Sequence, residues 1–340
     1  MFSQLRDKLF SAAQEGRFSH SLGLRLISLG WLSAARIRNW LYDRGFLPAR
    51  RLPSLVISVG NIVAGGSGKT PLVHLLAQSL QPLGPIAILS RGYQSKRSSL
   101  PLGDELTMLS RRLPLILPYA GKDRVASGEK AIQGGARILL LDDGFQYRRL
   151  RRDFDFVIVD AANPFGYGAF LPCGLLRDSP SRLRQADAVF VNGSMSRTLE
   201  TALRRWSEAP LIGVRQRFEK ILDLEGQPQE IGQVRRAGAF CGIGQPHRFM
   251  QSLKEARFEI VDHWILADHG KPDPVRLERF AERCREKGAT CLVCTQKDAV
   301  KLSFDRRALP IYYLEMQLEI ISQMAEWQNL IEKISLKMNN

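Results

Sequence analysis

The sequence has no apolar stretch long enough to cross a bilayer, because arginines interrupt each candidate, so a membrane-spanning helix is not expected. The opening MFSQLRDKLFSAAQEG lacks the apolar centre of a secretory signal, and export is not expected either. Cysteine is sparse. Cys173, Cys241, Cys284, Cys291 and Cys294 form an odd set, which argues against a disulfide scaffold and for a reducing compartment. Cys291 and Cys294 have redox-like spacing, yet they lie in the apolar run TCLVCT, where a buried strand is the simpler reading. No further His or Cys pair stands at an interval suited to zinc. Internal repeats, coiled-coil heptads and long low-complexity linkers are missing as well. No nucleic-acid module accompanies the charge described next, so neither nucleic acid nor an obligate protein partner is expected.

What is present is a chain of 340 residues, long enough to bury a real core and by size most naturally two packed units. Its 49 Lys and Arg against 34 Asp and Glu leave a formal charge of +15, which attracts polyanions such as nucleic acid, anionic lipid or phosphorylated small molecules, and charge alone does not choose among them. Residues 1–50 read as an N-terminal helical segment. Within it Leu22 to Leu41 is predicted as an amphipathic helix, with Leu22, Leu26, Leu29, Ile37 and Trp40 near one stripe and Arg25, Arg36 and Arg38 elsewhere. Trp31, Trp40 and Tyr42 interleave with arginines, as suits an anionic membrane surface; packing on the protein's own core would give a similar stripe.

Residues 51–210 read as a nucleotide-binding core with a mostly parallel sheet. LVISVG is a strand, NIVAGGSG a glycine-rich loop and KTPLVHLLAQSL a helix, and apolar strands follow at Ile86 to Leu89, Arg137 to Leu141, Phe154 to Val159 and Ala188 to Val191. Residues 211–235 are predicted as a linker or hairpin, and 236–340 as a second, smaller α/β domain closing the site.

Gly60 to Pro71, GNIVAGGSGKTP, carries the sharpest chemistry. Gly65, Gly66 and Gly68 let main-chain N–H groups, with that of Ser67, turn toward an oxyanion where a Cβ would obstruct them. The helix N-terminus adds favourable potential, Lys69 reaches the β- and γ-phosphates of a nucleotide, and the Thr70 hydroxyl ligates Mg²⁺. The position five before Gly68 is Val63 rather than the usual glycine, so the loop is expected to differ in shape at its start. The expected fold is a P-loop NTPase core of α/β class, with a nucleotide, ATP or GTP, and Mg²⁺ as cofactors.

RILLLDDGFQ ends a buried strand on Asp142 and Asp143, where open α/β sheets bind ligands. Asp142 holds Mg²⁺ directly or through water in this reading, and Asp143 completes that shell or faces the acceptor. Asp104 and Glu105 in LGDELTML serve either as a helix cap or as site carboxylates. Arg91, Arg124 and Arg177 are candidates for neutralising phosphate charge. Asp268 and His269 offer an imidazole oriented by a carboxylate, against the plainer reading of a surface histidine.

GNIVAGGSGKTP, SRGYQS, GDE, LLLDDGFQY, LPCGLLRD, AFCGIGQPHRF, the pair Asp268–His269 and CTQKDAVKL occur in the order of the tetraacyldisaccharide 4'-kinase family, which the chain resembles from roughly Leu55 to Leu302. The resemblance implies transfer of the γ-phosphoryl of ATP to the 4' hydroxyl of an acylated disaccharide 1-phosphate. The product is the 1,4'-bisphosphate precursor of lipid A, made peripherally at the cytoplasmic face of the inner membrane. It also implies that Asp104 is the catalytic base paired with His269, that Glu105 neighbours it, and that Lys69 and Thr70 serve the phosphate loop. Asp142 and Asp143 become the magnesium pair, and Arg124 and Arg177 the arginines near donor and lipid phosphates. Two departures stand out: Tyr147 takes the place of the family's usual His, and Gln94 and Ser95 follow Tyr93 where glycine is usual. Lys297, Asp298 and Lys301 mark the family, with nucleotide contact as one reading of them.

Overall fold

The computed structural model describes residues 22–92, 106, 108–109, 112–113, 115–230, 235–244, 246–267, 270–302 and 308–339. The chain forms two compact units, each discontinuous in sequence. The first comprises Met1–Arg91, Leu115–Arg215 and Glu319–Asn340, and the second Gly92–Pro114 and Gln216–Leu318. The described residues between 92 and 113 thus group with the second unit and the C-terminal segment with the first, although both lie elsewhere in a division drawn along the sequence.

In the first unit, β1 (Leu55–Gly60), β2 (Ile86–Ser90), β3 (Leu117–Ala120), β4 (Ile138–Asp142), β5 (Phe154–Asp160) and β6 (Ala188–Asn192) lie in the order β3-β2-β4-β1-β5-β6. Every pairing in this row is parallel. All residues of β1, β2, β4 and β6 are buried. That burial explains why they read as unbroken apolar runs: a parallel sheet covered on both faces leaves no polar side to alternate with. The edge strand β3 is largely exposed and contains Pro118, which hides it from a search for apolar runs. Helices α2 (Lys69–Leu80), α3 (Arg124–Gln133) and α4 (Arg197–Arg204) follow, with α8 (Met324–Asn339) setting Trp327 edge-on to Phe190 at 6.0 Å.

Helix α1 (Leu22–Asp43) lies on this unit through one face only. Ser28 Oγ donates to Phe170 O at 2.7 Å, Leu32 packs on the core beneath, and Asn39 Nδ2 donates to the buried Asp178 at 2.9 Å. Leu26, Leu29, Ile37 and Trp40 share a different stripe by the helical period, and all are exposed, Leu26 by 65%. The choice left open between core and outward stripe is therefore settled: polar Ser28 and Asn39 face the body and the apolar stripe faces out.

In the second unit β9 (Arg236–Cys241), β10 (Glu259–Ile265), β11 (Cys291–Thr295) and β12 (Ile311–Ser322) form a parallel row, β10-β9-β11-β12. Strand β7 (Leu211–Asp223) begins beside β6 and turns back as a hairpin onto β8 (Pro228–Gln229). Helices α5 (Pro246–Glu255), α6 (Pro274–Glu286) and the short α7 (Gln296–Ala299) complete the unit. Cys291 faces the α5 side of its sheet and Cys294 the α6 side, so the pair points to opposite faces. Burial pushes the Cys291 thiol up to about 12 and that of Cys294 well above its ordinary value, as inert core thiols require.

Candidate active site

The phosphate loop leaves the sheet where β1 and β4 end side by side, Val59 in register with Asp142. Two glycines bring these strand ends together. A Cβ on Gly60 would lie 2.4 Å from Phe145 Cβ, and one on Gly144 would lie 2.6 Å from Leu141 Cβ. The Gly144 N–H donates to Val59 O at 3.0 Å. The loop following β1 is thereby fixed against the Asp142–Gln146 turn.

Val63 explains itself in this setting. It is buried and bridges antiparallel to Leu176, and the Ala64 N–H donates to Leu175 O at 2.7 Å. The first half of the loop is held by main-chain pairing, so no glycine is needed there. The second half is freer in conformation: Gly65 (φ 116°) and Gly68 (φ 102°) occupy backbone regions closed to other residues, and a Cβ on Gly66 would meet open space. No side chain caps the first turn of α2, which carries no acidic residue, so its main-chain donors are available to an anion.

Three amides clamp this loop, and the motif reading missed all of them as functional residues. Asn61 Nδ2 donates to Ser67 Oγ at 2.9 Å, Gln146 Nε2 to Asn61 O at 2.7 Å, and Asn192 Nδ2 to Ser67 O at 3.1 Å. The available signal was a polar residue closing an apolar strand, as Asn192 does in AVFVN.

Lys69 Nζ stands 3.4 Å from Gly65 O and 3.7 Å from Asp143 Oδ1. Arg177 forks onto the same carboxylate, with Nη1 at 3.0 Å from Oδ1 and Nη2 at 3.1 Å from Oδ2. Asp143 sits at φ 54°, a left-handed conformation that aspartate tolerates better than most non-glycine residues. Burial pushes its pKa up, but Lys69, Arg177 and Arg124 outweigh that and hold it at about 2, so it is ionised throughout the neutral range. Asp142 is buried beside it and Thr70 lies in the first turn of α2.

Arg124 opens α3 and is 95% buried, its exposure being 5%. Desolvation lowers its pKa, opposed by Asp143, Tyr147 and Asp142, while Arg91 lowers it further from the end of β2. Tyr147 supplies its platform. The guanidinium lies over the phenol ring at 4.9 Å, the Arg124 N–H donates to Tyr147 Oη at 3.0 Å, and Tyr147 Oη donates to Asp123 at 3.1 Å. Asp123 in turn caps α3 by accepting from Val125 N and Ala126 N.

The residues present fit a nucleoside triphosphate. Among the described residues the buried Arg124 Nε has no hydrogen-bond partner, and the α2 donors have no acidic neighbour in their turn. Thr70, Asp142 and Asp143 offer hard oxygen donors of the kind Mg²⁺ takes. Among the described residues no three acidic, His or Cys side chains gather as a complete metal cage, so phosphates and water would complete the shell. Asp104, Glu105, Asp268 and His269, together with Gln94 and Ser95, lie outside the described residues. The second unit has a cleft of about 570 Å³ lined by Trp264, Ile265, Leu266, Gly270, Lys271 and Arg276.

A strand, a glycine loop clamped by amides, a lysine at the start of a helix and a carboxylate pair on the neighbouring strand define a P-loop nucleotide-binding α/β protein. A family model described as tetraacyldisaccharide-1-P 4'-kinase matches residues 20–335. The chain belongs to that family. The tetraacyldisaccharide 4'-kinase of Chlamydia abortus is 36% identical over 335 residues, covering 90% of this chain and 91% of its own. That of Syntrophus aciditrophicus is 36% identical over 344 residues, covering 91% and 92%. Among solved structures, LpxK from Aquifex aeolicus in complex with ATP superposes with a TM-score of 0.73 at 26% identity, covering 92% of this chain and 98% of that one.

Proposed function

We propose that this chain transfers the γ-phosphoryl group of ATP to the 4' hydroxyl of tetraacyldisaccharide 1-phosphate, giving the 1,4'-bisphosphate. The observation that carries this reading is Lys69 at the uncapped start of α2, facing Asp143 at the adjoining strand end. That geometry suits in-line transfer, in which positioning and charge stabilisation do most of the work. Loop amides and Lys69 follow negative charge as it moves from the γ-phosphoryl to the β-phosphate oxygens. Arg124, held off water by Tyr147, adds a fixed positive charge. Thr70, Asp142 and Asp143 would hold Mg²⁺, which supplies charge neutralisation to the phosphate oxygens when bound. Arg177 orients Asp143 through its fork and adds positive charge beside it.

Asp104, with His269, accepts the proton of the attacking sugar hydroxyl. The cleft of the second unit joins apolar Trp264 and Ile265 to cationic Lys271 and Arg276, the chemistry an acylated sugar phosphate would ask for. Among the described residues no helix is long and apolar enough to cross a membrane. The outward stripe of α1, with Arg25 and Arg36 exposed nearby, suits surface attachment to an anionic bilayer where an acylated acceptor resides.

The test compares acylated disaccharide 1-phosphate, its deacylated counterpart and water as acceptors of label from γ-labelled ATP. Label on the acylated 4' position, lost in Lys69→Ala and Asp104→Ala, is the expected outcome. Release of inorganic phosphate alone, unaffected by the lipid, would exclude the acceptor. Normal turnover of Asp104→Ala would remove that residue from the chemical step.

A further inference from the structure

The buried carboxylate of Asp178 follows Arg177 directly in the chain, and the reaction above leaves it unused. It is 1% exposed, and its Oδ1 accepts from Asn39 Nδ2 of α1 at 2.9 Å and from the Ser179 N–H at 3.0 Å. Arg38 Nη2 and the buried Arg182 Nε each stand 3.8 Å from Oδ2. Arg182 in turn lies over the Phe145 ring at 5.2 Å, in the turn that carries Asp143. Helix α1 also meets the segment leading to Arg177 through Ser28 and Trp31. Ser28 Oγ, which donates to Phe170 O, accepts from the Cys173 N–H at 3.2 Å, and Trp31 Nε1 lies 3.5 Å from Arg177 O.

The other side of that segment is fastened to the phosphate loop. The Arg177 and Asp178 N–H groups both donate to Ile62 O, at 2.9 and 3.2 Å, next to the bridge between Val63 and Leu176. A Cβ on Gly174 would lie 2.4 Å from Ala169 O, and the Leu176 N–H donates to that same oxygen at 2.9 Å, so the turn between them has no slack. Residues 170–178 thus run as a strap between α1 and the loop after β1, and the Arg177 side chain leaves the strap to fork onto Asp143.

Anchoring a surface helix does not call for a buried carboxylate, because desolvation offsets the attraction and apolar residues of the same volume hold as well or better. An apolar residue could not accept from Asn39 and from the main chain at once, which fixes the backbone one residue from Arg177. We propose that Asn39 and Asp178 are positioning residues for phosphoryl transfer: their hydrogen bond, made on the inward face of α1, keeps the strap in place and Arg177 forked on Asp143. The proposal rests on reading Asp143 as a carboxylate of the transfer site.

The experiment uses the full chain with acylated disaccharide 1-phosphate as acceptor. It measures kcat, the Mg²⁺ concentration giving half the maximal rate, and sedimentation with anionic vesicles. Asn39→Leu keeps the branched shape and removes the donor. It is expected to lower kcat about 10-fold and to raise the half-saturating Mg²⁺ at least about threefold, the lower end of the loss seen when a group orienting a metal-binding side chain is removed. Vesicle sedimentation should stay within about twofold, since Asn39 faces the body. Asp43→Ala loosens α1 elsewhere, at its 2.6 Å bond to Arg148, and should leave kcat within about twofold. On an Arg177→Met background Asn39→Leu is expected to change kcat by less than about twofold, because the group it positions is gone. Hydrogen exchange in the ligand-free protein reads the strap without turnover: the peptide spanning 170–178 should exchange at least about fivefold faster in Asn39→Leu and at the wild-type rate in Asp43→Ala. Wild-type kcat in Asn39→Leu, losses that multiply on the Arg177→Met background, or unchanged exchange of the strap would each overturn the positioning role while leaving the reading of Asp143 intact. Wild-type kcat in Asp143→Asn overturns that reading, and this inference with it. Should Asn39→Leu not fold, Asn39→Ala, a better helix former, decides the matter by the same cycle.

Discussion

Replacing Tyr147 by alanine removes the ring under Arg124 and tests whether the proposed nucleotide contact of Arg124 depends on that ring. The guanidinium lies 4.9 Å from the ring centroid, and Arg124 is almost wholly buried, so the lost cation–π contact is of the desolvated kind, about 1–2 kcal/mol. At about 1.4 kcal/mol per tenfold, the affinity for Mg–ATP falls by about 5- to 30-fold. Tyr147→Phe keeps the ring and loses the hydroxyl, which accepts from Arg124 N at 3.0 Å and donates to Asp123 at 3.1 Å. Each such bond is worth about 1 kcal/mol at most, and the second less because the Asp123 side chain is 48% exposed. Phe should therefore cost about 1 kcal/mol of stability at the start of α3 and less than about threefold in nucleotide affinity. Tyr147→His keeps a ring while making it titratable. Its nucleotide affinity should fall as pH drops through roughly 6.5, where an imidazolium would repel Arg124; the wild type should show no such step, since burial pushes the phenol above its ordinary range. Calorimetric titration with Mg–ATP, run beside steady-state kcat and KM, separates these effects. An alanine variant that binds Mg–ATP like the wild type but turns over slowly would refute the platform role and move Tyr147 into the chemistry.

Gly68→Ala should raise the Kd for Mg–ATP at least about tenfold without unfolding the protein, since left-handed backbone costs a non-glycine residue about 1–2 kcal/mol. A Cβ there would also lie 2.9 Å from Asn192 Nδ2, and circular dichroism beside nucleotide titration checks both halves of the statement. Asp143, depressed to about 2, contributes stability that is present above its unfolded value of about 3.9 and is lost as pH falls toward 2. The stability gap between wild type and Asp143→Asn in urea unfolding should accordingly stay flat above about pH 5 and change only below about pH 4. Leu29→Glu with Trp40→Glu, both on the outward stripe of α1, should leave melting unchanged and cut sedimentation with anionic vesicles by at least about tenfold. Equal sedimentation of both proteins would detach that stripe from the membrane.

Much of the nucleotide half was legible along the chain because its determinants are local. A glycine loop between an apolar strand and a helix, followed by Lys69 and Thr70, is a contiguous pattern, and Asp142–Asp143 closes a run of five buried residues. The strands of the first unit were legible for the same reason, except β3, where Pro118 and exposure on the sheet edge mask the pattern. Tyr147 was visible as a departure, but its task was not, because Arg124 lies 23 residues away and meets it only in space.

The sequence by itself determined that a glycine loop of P-loop type joins an apolar strand to a helix, and that the thiols of TCLVCT belong to a strand, since each follows from neighbours a few residues apart. Tertiary structure alone decided which face of α1 points outward, why valine suffices at position 63, and that Arg177 grips Asp143. It also joined Gly242, Gly270, Asp298 and Lys301 into one knot. These are meetings of side chains with main-chain groups far off in sequence, and only packing, which no local period encodes, brings them within hydrogen-bonding reach.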